Sequence, residues 1–172
     1  TRLHVMTKAL IFDLGGVIVP IDFAKVYHRF EARSGLTREE IRARLTDGNL
    51  VAEFECGRLT EDQFRGELNR RLGIALTHTE YVDSWNALFD PAATAGILPE
   101  RLIADLAAQY PVLALSNNNE THFNWVGPRY RHLAHMRHVV LSHRFGQAKP
   151  GREIYDEAVR LAGCAPGECF FT

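Results

Sequence analysis

Residues 8–19 read KALIFDLGGVIV, and the fold follows from how this stretch is understood. Its first part, Ala9 to Phe12, is an unbroken apolar run, and three more such runs follow at 112–115, 138–141 and 169–171. A strand with one solvated face alternates apolar and polar residues, whereas continuous hydrophobicity suits strands buried on both faces of a parallel sheet. Helical patterns separate the last three runs, which is the rhythm of an α/β chain with a Rossmann-like parallel sheet.

The first gap is different, because residues 13–111 are far more than one crossover needs. Phe23, Val26, Tyr27 and Phe30 recur at helical spacing, with Gly35 as a stop. Thr37 with Glu40, Thr60 with Gln63, and Thr77 with Glu80 each match the capping-box pattern. Two further stripes, Phe64, Leu68, Leu72 before Gly73 and Tyr81, Trp85, Leu88, Phe89, complete a helical insert at 20–92 that is expected to pack as a lid. Pro99 opens a helix carrying Leu102, Ile103 and Leu106, which returns the chain to a core made of 1–19 and 93–172.

The chain of 172 residues is 46% hydrophobic and 24% charged, an ordinary globular composition. Twenty basic and twenty-one acidic residues nearly cancel, so the electrostatic footprint of a nucleic-acid binder is absent. No stretch approaches the roughly 20 apolar residues of a membrane span. Three cysteines, Cys56, Cys164 and Cys169, are too few for a disulfide framework, and a cytoplasmic location is expected.

In an open parallel sheet the ligand lies at the carboxyl ends of the strands. The first run ends in Asp13, followed by Leu14, Gly15 and Gly16, so a carboxylate stands where the backbone behind it has little bulk. The second ends in Ser116 with Asn117, Asn118 and Asn119, a hydroxyl and amides at a helix start, where negative charge is favoured. Lys149 follows the third run, just before a helix carrying Ile154, Tyr155, Ala158, Val159 and Leu161, and supplies positive charge. Each alone also reads as a turn, a helix cap or a solvated loop residue.

Taken together, KALIFDLGGVIV, VLALSNNN and the Lys of FGQAKPGREIYDEAV resemble the three leading motifs of the haloacid dehalogenase superfamily of aspartyl-nucleophile hydrolases. FECGRLTEDQF and SWNALF likewise resemble segments of that family's helical cap, and the nearest branch is that of glucose-1-phosphate phosphatases and the amino-terminal domain of soluble epoxide hydrolase. The resemblance implies a phosphatase acting on a small phosphorylated metabolite, in which Asp13 attacks phosphorus to form an aspartyl-phosphate. It implies that Ser116, the Asn117 and Asn118 amides, and the amides of Leu14 and Gly15 hold the phosphoryl oxygens while Lys149 offsets their charge. Mg²⁺ would be held by Asp13 and the Gly15 carbonyl. Glu55 and Arg58 are the candidate substrate contacts from the cap.

Two positions depart from the family pattern. Most such phosphatases carry a second Asp, a general acid and base, where this chain has Gly15; its loss costs about 10²- to 10⁴-fold on poor leaving groups. Asp22, on the segment entering the cap, is a candidate substitute. The family's acidic metal-binding pair would begin where the sequence stops at Thr172, so the Mg²⁺ site is incomplete and the carboxyl-terminal part of the core is expected to be missing, as in a fragment of a longer protein. The 169–171 run is then expected to be an unpaired edge. A 2-haloacid dehalogenase and a catalytically impaired phosphate-binding relative are the alternatives, and either a monomer or a homodimer fits. The segment 129–138 reads as a basic surface stretch, with His132 and His135 lacking the partners of a metal site, and Cys164 and Cys169 read as ordinary small residues.

Overall fold

The structure, a computed structural model, describes residues 6–92 and 95–172; residues 1–5 and residues 93–94, where the core is expected to resume, lie outside the described residues. The chain runs β1 (Ala9–Phe12), α1 (Phe23–Ser34), α2 (Arg38–Thr46), α3 (Leu50–Glu55), α4 (Glu61–Leu72), α5 (His78–Trp85) and α6 (Glu100–Ala107). It continues through β2 (Val112–Ser116), α7 (Glu120–Val126), β3 (His138–Leu141), α8 (Ser142–Phe145), α9 (Arg152–Ala162) and β4 (Cys169–Phe171). All four apolar runs are strands of one parallel sheet in the order β3-β2-β1-β4.

The alternating sides of β1 and β2 explain their continuous hydrophobicity. Ala9, Ile11, Leu113 and Leu115 pack on Ile154, Ala158 and Ala162 of α9, while Leu10, Phe12, Val112 and Ala114 face the opposite way, into a second cluster that also holds Ile103 of α6. Both sides of these strands are therefore dry. Because β1 has β2 on one flank and β4 on the other, the strand order reverses at β1, and its carboxyl end opens onto the crevice where such sheets take ligands.

The capping boxes at Thr37, Thr60 and Thr77 all form, each hydroxyl accepting from the N–H three residues on. Phe64, Leu68, Leu72, Tyr81, Trp85, Leu88 and Phe89 are buried, as their spacing predicts. These helices do not form a separately packed lid, however. One continuous apolar cluster runs from Leu10, Phe12 and Ala114 of the sheet through Val126 and Tyr130 into Phe30, Phe54, Phe64 and Tyr81 of the insert.

Three expectations need correction. Leu102 is exposed, because α6 turns only Ile103 fully inward. The segment 129–138 is not simply surface: Tyr130, His132 and Met136 are buried, and His132 Nε2 lies 2.8 Å from the Leu98 carbonyl while His135 pairs with Glu100 at 3.0 Å. β4 is an edge strand but not an unpaired one, since Ala9, Leu10 and Ile11 of β1 pair with Cys169, Phe170 and Phe171. Cys164 and Cys169 are free thiols with their sulfurs 3.4 Å apart, a proximity that spacing did not announce.

Candidate active site

The site begins with the turn that follows β1. Leu14 O accepts hydrogen bonds from Ile18 N and Val19 N at 2.9 and 2.7 Å, and Gly16 N closes the loop onto Val19 O at 2.9 Å. Gly16 sits at φ 79°, a left-handed conformation that glycine adopts without steric cost. This loop leaves Asp13 at the mouth of the sheet, with its own N–H bonded to Thr172 O at 2.7 Å.

The Asp13 carboxylate is held at both oxygens. Oδ1 accepts from Leu14 N at 2.7 Å, and Oδ2 pairs with Lys149 Nζ at 2.7 Å. The Lys149 ammonium also donates to Leu115 O at 3.1 Å and lies 5.6 Å from the centre of the Phe171 ring. The Lys149–Pro150 peptide is cis. Asn117 grips the Lys149 backbone from two sides: Lys149 N donates to its Oδ1 at 2.7 Å, and its Nδ2 donates to Lys149 O at 2.9 Å. Residues from the ends of β1 and β2 and the start of α9 thus converge, as their shared sheet requires.

Not every expected contact is free for a ligand. The Leu14 N–H is committed to Asp13. The Asn118 N–H donates to Ser142 Oγ at 2.9 Å, and Ser142 Oγ donates back to Asn118 O at 3.0 Å, so that amide is also occupied. Asn119 caps α7 by accepting from His122 N. The N–H groups of Gly15 and Asn117 donate to no acceptor among the described residues, and with Lys149 and the Ser116 hydroxyl, which itself donates to Asn117 O at 3.2 Å, they make up the candidate anion-binding set. The Gly15 carbonyl likewise accepts no hydrogen bond among the described residues.

Above this set lies a small cavity of about 60 Å³ lined by Gly15, Glu55, Ser116, Asn117, Asn118 and His122 among apolar side chains that include Ile21, Phe23 and Phe89. A groove of about 950 Å³ lies elsewhere, between α1 and α5, away from Asp13. The chemistry, not size, marks the smaller cavity as the candidate site, because it adjoins the convergent polar groups. Glu55 belongs to it, and burial pushes its carboxyl up from the ordinary glutamate value. Arg58 does not: it is exposed, and its guanidinium makes a bidentate pair with Glu53 at 2.7 and 2.8 Å. Asp22 is also withdrawn from the chemistry, since its carboxylate caps α1 through Ala24 N at 3.0 Å. Ser142 and His122 escaped the sequence reading, because no spacing connects a serine after β3 or a histidine in α7 to the loop after β2.

No protein-family profile matches the chain. It is 30% identical over 173 residues to a D-ribitol-5-phosphate phosphatase of Bacteroides thetaiotaomicron, an alignment covering 96% of this chain and 82% of that protein. The chain belongs to the haloacid dehalogenase-like hydrolase superfamily. Within this superfamily it lies on the phosphatase side. A haloacid dehalogenase family enzyme from B. thetaiotaomicron superposes with a TM-score of 0.83 at 26% identity, over 96% of this chain and 83% of that one. The same enzyme in complex with magnesium and inorganic phosphate superposes at 0.80 with 25% identity, over 96% and 83%. An L-2-haloacid dehalogenase from Xanthobacter autotrophicus reaches only 0.61 at 20% identity, over 96% and 69%, a likeness of fold alone.

Proposed function

We propose that this haloacid dehalogenase-like hydrolase removes the phosphoryl group from a small phosphorylated polyol or sugar, with Asp13 as nucleophile. The carrying observation is the Asp13 carboxylate at the carboxyl end of the central strand, 2.7 Å from Lys149 and beside the unpaired N–H groups of Gly15 and Asn117. Phosphoryl transfer needs a nucleophile with donors preset around the three non-bridging oxygens. Attack by an Asp13 oxygen splits the displacement into formation and hydrolysis of an acyl phosphate. The polyol class is supported by the ribitol-5-phosphate phosphatase relative.

The residues present suit Mg²⁺ as far as they go. Asp13 offers a carboxylate and Gly15 a main-chain carbonyl that accepts no hydrogen bond among the described residues, both hard oxygen donors, and Mg²⁺ commonly keeps waters and substrate phosphate as its remaining ligands. No group of three or more His, Cys, Asp or Glu suited to a metal occurs among the described residues. Asp13 and Gly15 would hold the ion, which supplies charge neutralisation at the phosphoryl oxygens. The complex of the related enzyme with magnesium and phosphate supports the same choice.

Phosphate release from ribitol 5-phosphate and related esters, measured with Mg²⁺ present, tests the reading. Asp13→Asn is expected to abolish turnover, by about 10³-fold or more. Undiminished turnover in that variant would sink the nucleophile assignment. Phosphate binding without turnover of any ester would instead indicate an impaired relative, and chloride release from 2-chloropropionate a dehalogenase.

A further inference from the structure

We propose that Glu55, from the cap, is the proton donor and acceptor of this site, taking the role that the family gives to an acidic residue at the position of Gly15. The inference rests on the phosphatase reading above and deepens it. Glu55 ends α3, where Leu50 and Phe54 are anchored in the core and Glu55 itself faces the cavity. The next turn is pressed onto the sheet domain: Gly57, at φ 69°, lies so near α8 that a Cβ there would stand 2.1 Å from His143 O. That contact holds the end of α3 over Ser116 and Asn117 rather than leaving it to sample solvent.

Of the groups lining the cavity, only Glu55 and His122 titrate in the acid-to-neutral range. Both His122 ring nitrogens are engaged, Nδ1 with Asn119 Nδ2 at 2.9 Å and Nε2 with Trp85 O at 3.0 Å, which leaves no site for proton transfer. The Glu55 carboxyl makes no hydrogen bond or ion pair among the described residues. Charged groups on this turn and on the elements packed against α3 have partners of their own: Arg58 is paired with Glu53, Arg65 of α4 with Asp62, His143 of α8 faces Asn118 O, and Arg144 lies over the Phe123 ring. Burial among apolar walls is the one cause raising Glu55, so its acid form persists to higher pH than an ordinary glutamate's. The cavity of about 60 Å³ exceeds the ~10–15 Å³ that one water requires, so a leaving oxygen or an attacking water fits beside it.

The proton balance is complete. As Asp13 bonds to phosphorus and the ester P–O bond breaks, the Glu55 carboxylic acid protonates the departing oxygen, giving the alcohol, the aspartyl-phosphate and the Glu55 carboxylate. That carboxylate then takes a proton from the water that attacks phosphorus. The bond from phosphorus to Asp13 breaks, and inorganic phosphate, free Asp13 and acidic Glu55 are restored.

The test uses Glu55→Gln in the full chain with Mg²⁺, assayed on an alkyl phosphate and on p-nitrophenyl phosphate. With the alkyl ester, kcat is expected to fall by about 10²-fold or more while KM changes little. With p-nitrophenyl phosphate, whose leaving group needs no proton, nitrophenol is expected in a burst of one equivalent before a slow steady state. The decline of wild-type kcat/KM with rising pH that reports the acid is expected to vanish in the variant. Unchanged kcat and pH profile with a raised KM would overturn the proposal, making Glu55 a substrate-binding group. A wild-type enzyme with no Asp13-dependent turnover overturns the phosphatase reading itself, and this inference with it. Should Glu55→Gln lose its fold by circular dichroism, Glu55→Asp keeps the question open to refutation: it restores the pH limb if the carboxyl acts in proton transfer, and wild-type rates without that limb overturn the proposal.

Discussion

His122 shows how one residue couples the site to the stability of the fold. It is buried, stacked on Trp85 with ring centres 5.2 Å apart, and burial pulls its imidazole down to about 4 from an ordinary 6.5. Between those values the unfolded chain binds the proton that the folded chain refuses, so stability falls as pH drops from 6.5 to 4. At 1.36 kcal/mol per pH unit this amounts to about 3 kcal/mol. Glu67, beside Arg70 and Arg71, and Glu80, bonded to Thr77 and Arg33, lie at about 2 in the folded chain. Their contribution is present above about 4.5 and is lost as pH falls toward 2, in the same direction as His122. Thermal unfolding followed from pH 7 to 4 is expected to show a steady loss of Tm, and His122→Gln to flatten the upper part of that slope. A Tm independent of pH between 6.5 and 4.5 in the wild type contradicts the buried neutral histidine.

At the scale of elements, the contact of α3 with α8 decides whether the cap contributes to the site at all. Gly57 serves twice, by adopting a left-handed φ and by having no Cβ to strike His143 O. Gly57→Ala is expected to destabilise the chain by about 1 kcal/mol or more and to lower turnover by displacing Glu55, whereas Gly35→Ala, equally left-handed but with open space around it, shows only the conformational cost. Denaturant melts and kcat on both variants check this. Equal effects at the two positions would mean that the close approach to His143 carries no weight.

Across the whole molecule, the insert and the sheet share one apolar cluster, reinforced by a buried polar bridge. Tyr81 OH of α5 lies 2.9 Å from Thr121 Oγ1 of α7, which donates to Glu61 Oε2 of α4 at 2.6 Å. Helices that share a core with the sheet cannot unfold without exposing the sheet's own apolar face. Urea unfolding is therefore expected to be a single transition, with far-ultraviolet dichroism and Trp85 and Trp125 fluorescence coinciding. Two separated transitions would show an independently stable cap.

The strands, the capping boxes and most of the helix stripes were legible in the sequence, Phe23 and Leu102 being exposed instead, because each depends on residues within one or two turns or on a strand's own alternation. The order Asp13, Ser116, Lys149 was legible too, since a parallel sheet places every strand end on one edge. What local pattern could not supply was the use to which each polar group is put. Asn117 and Asn118 look alike in sequence, yet one clamps the Lys149 backbone and the other is tied to Ser142. Glu55 and Arg58 are three residues apart, yet one faces the cavity and the other pairs with Glu53 at the surface. Sequence alone determined the sheet, its helices and the residues at the strand ends; the tertiary structure decided which donors remain free, which carboxyl is dry and how firmly the cap is seated. Hydrogen-bond partners and desolvation arise between segments distant along the chain, and only packing brings those together.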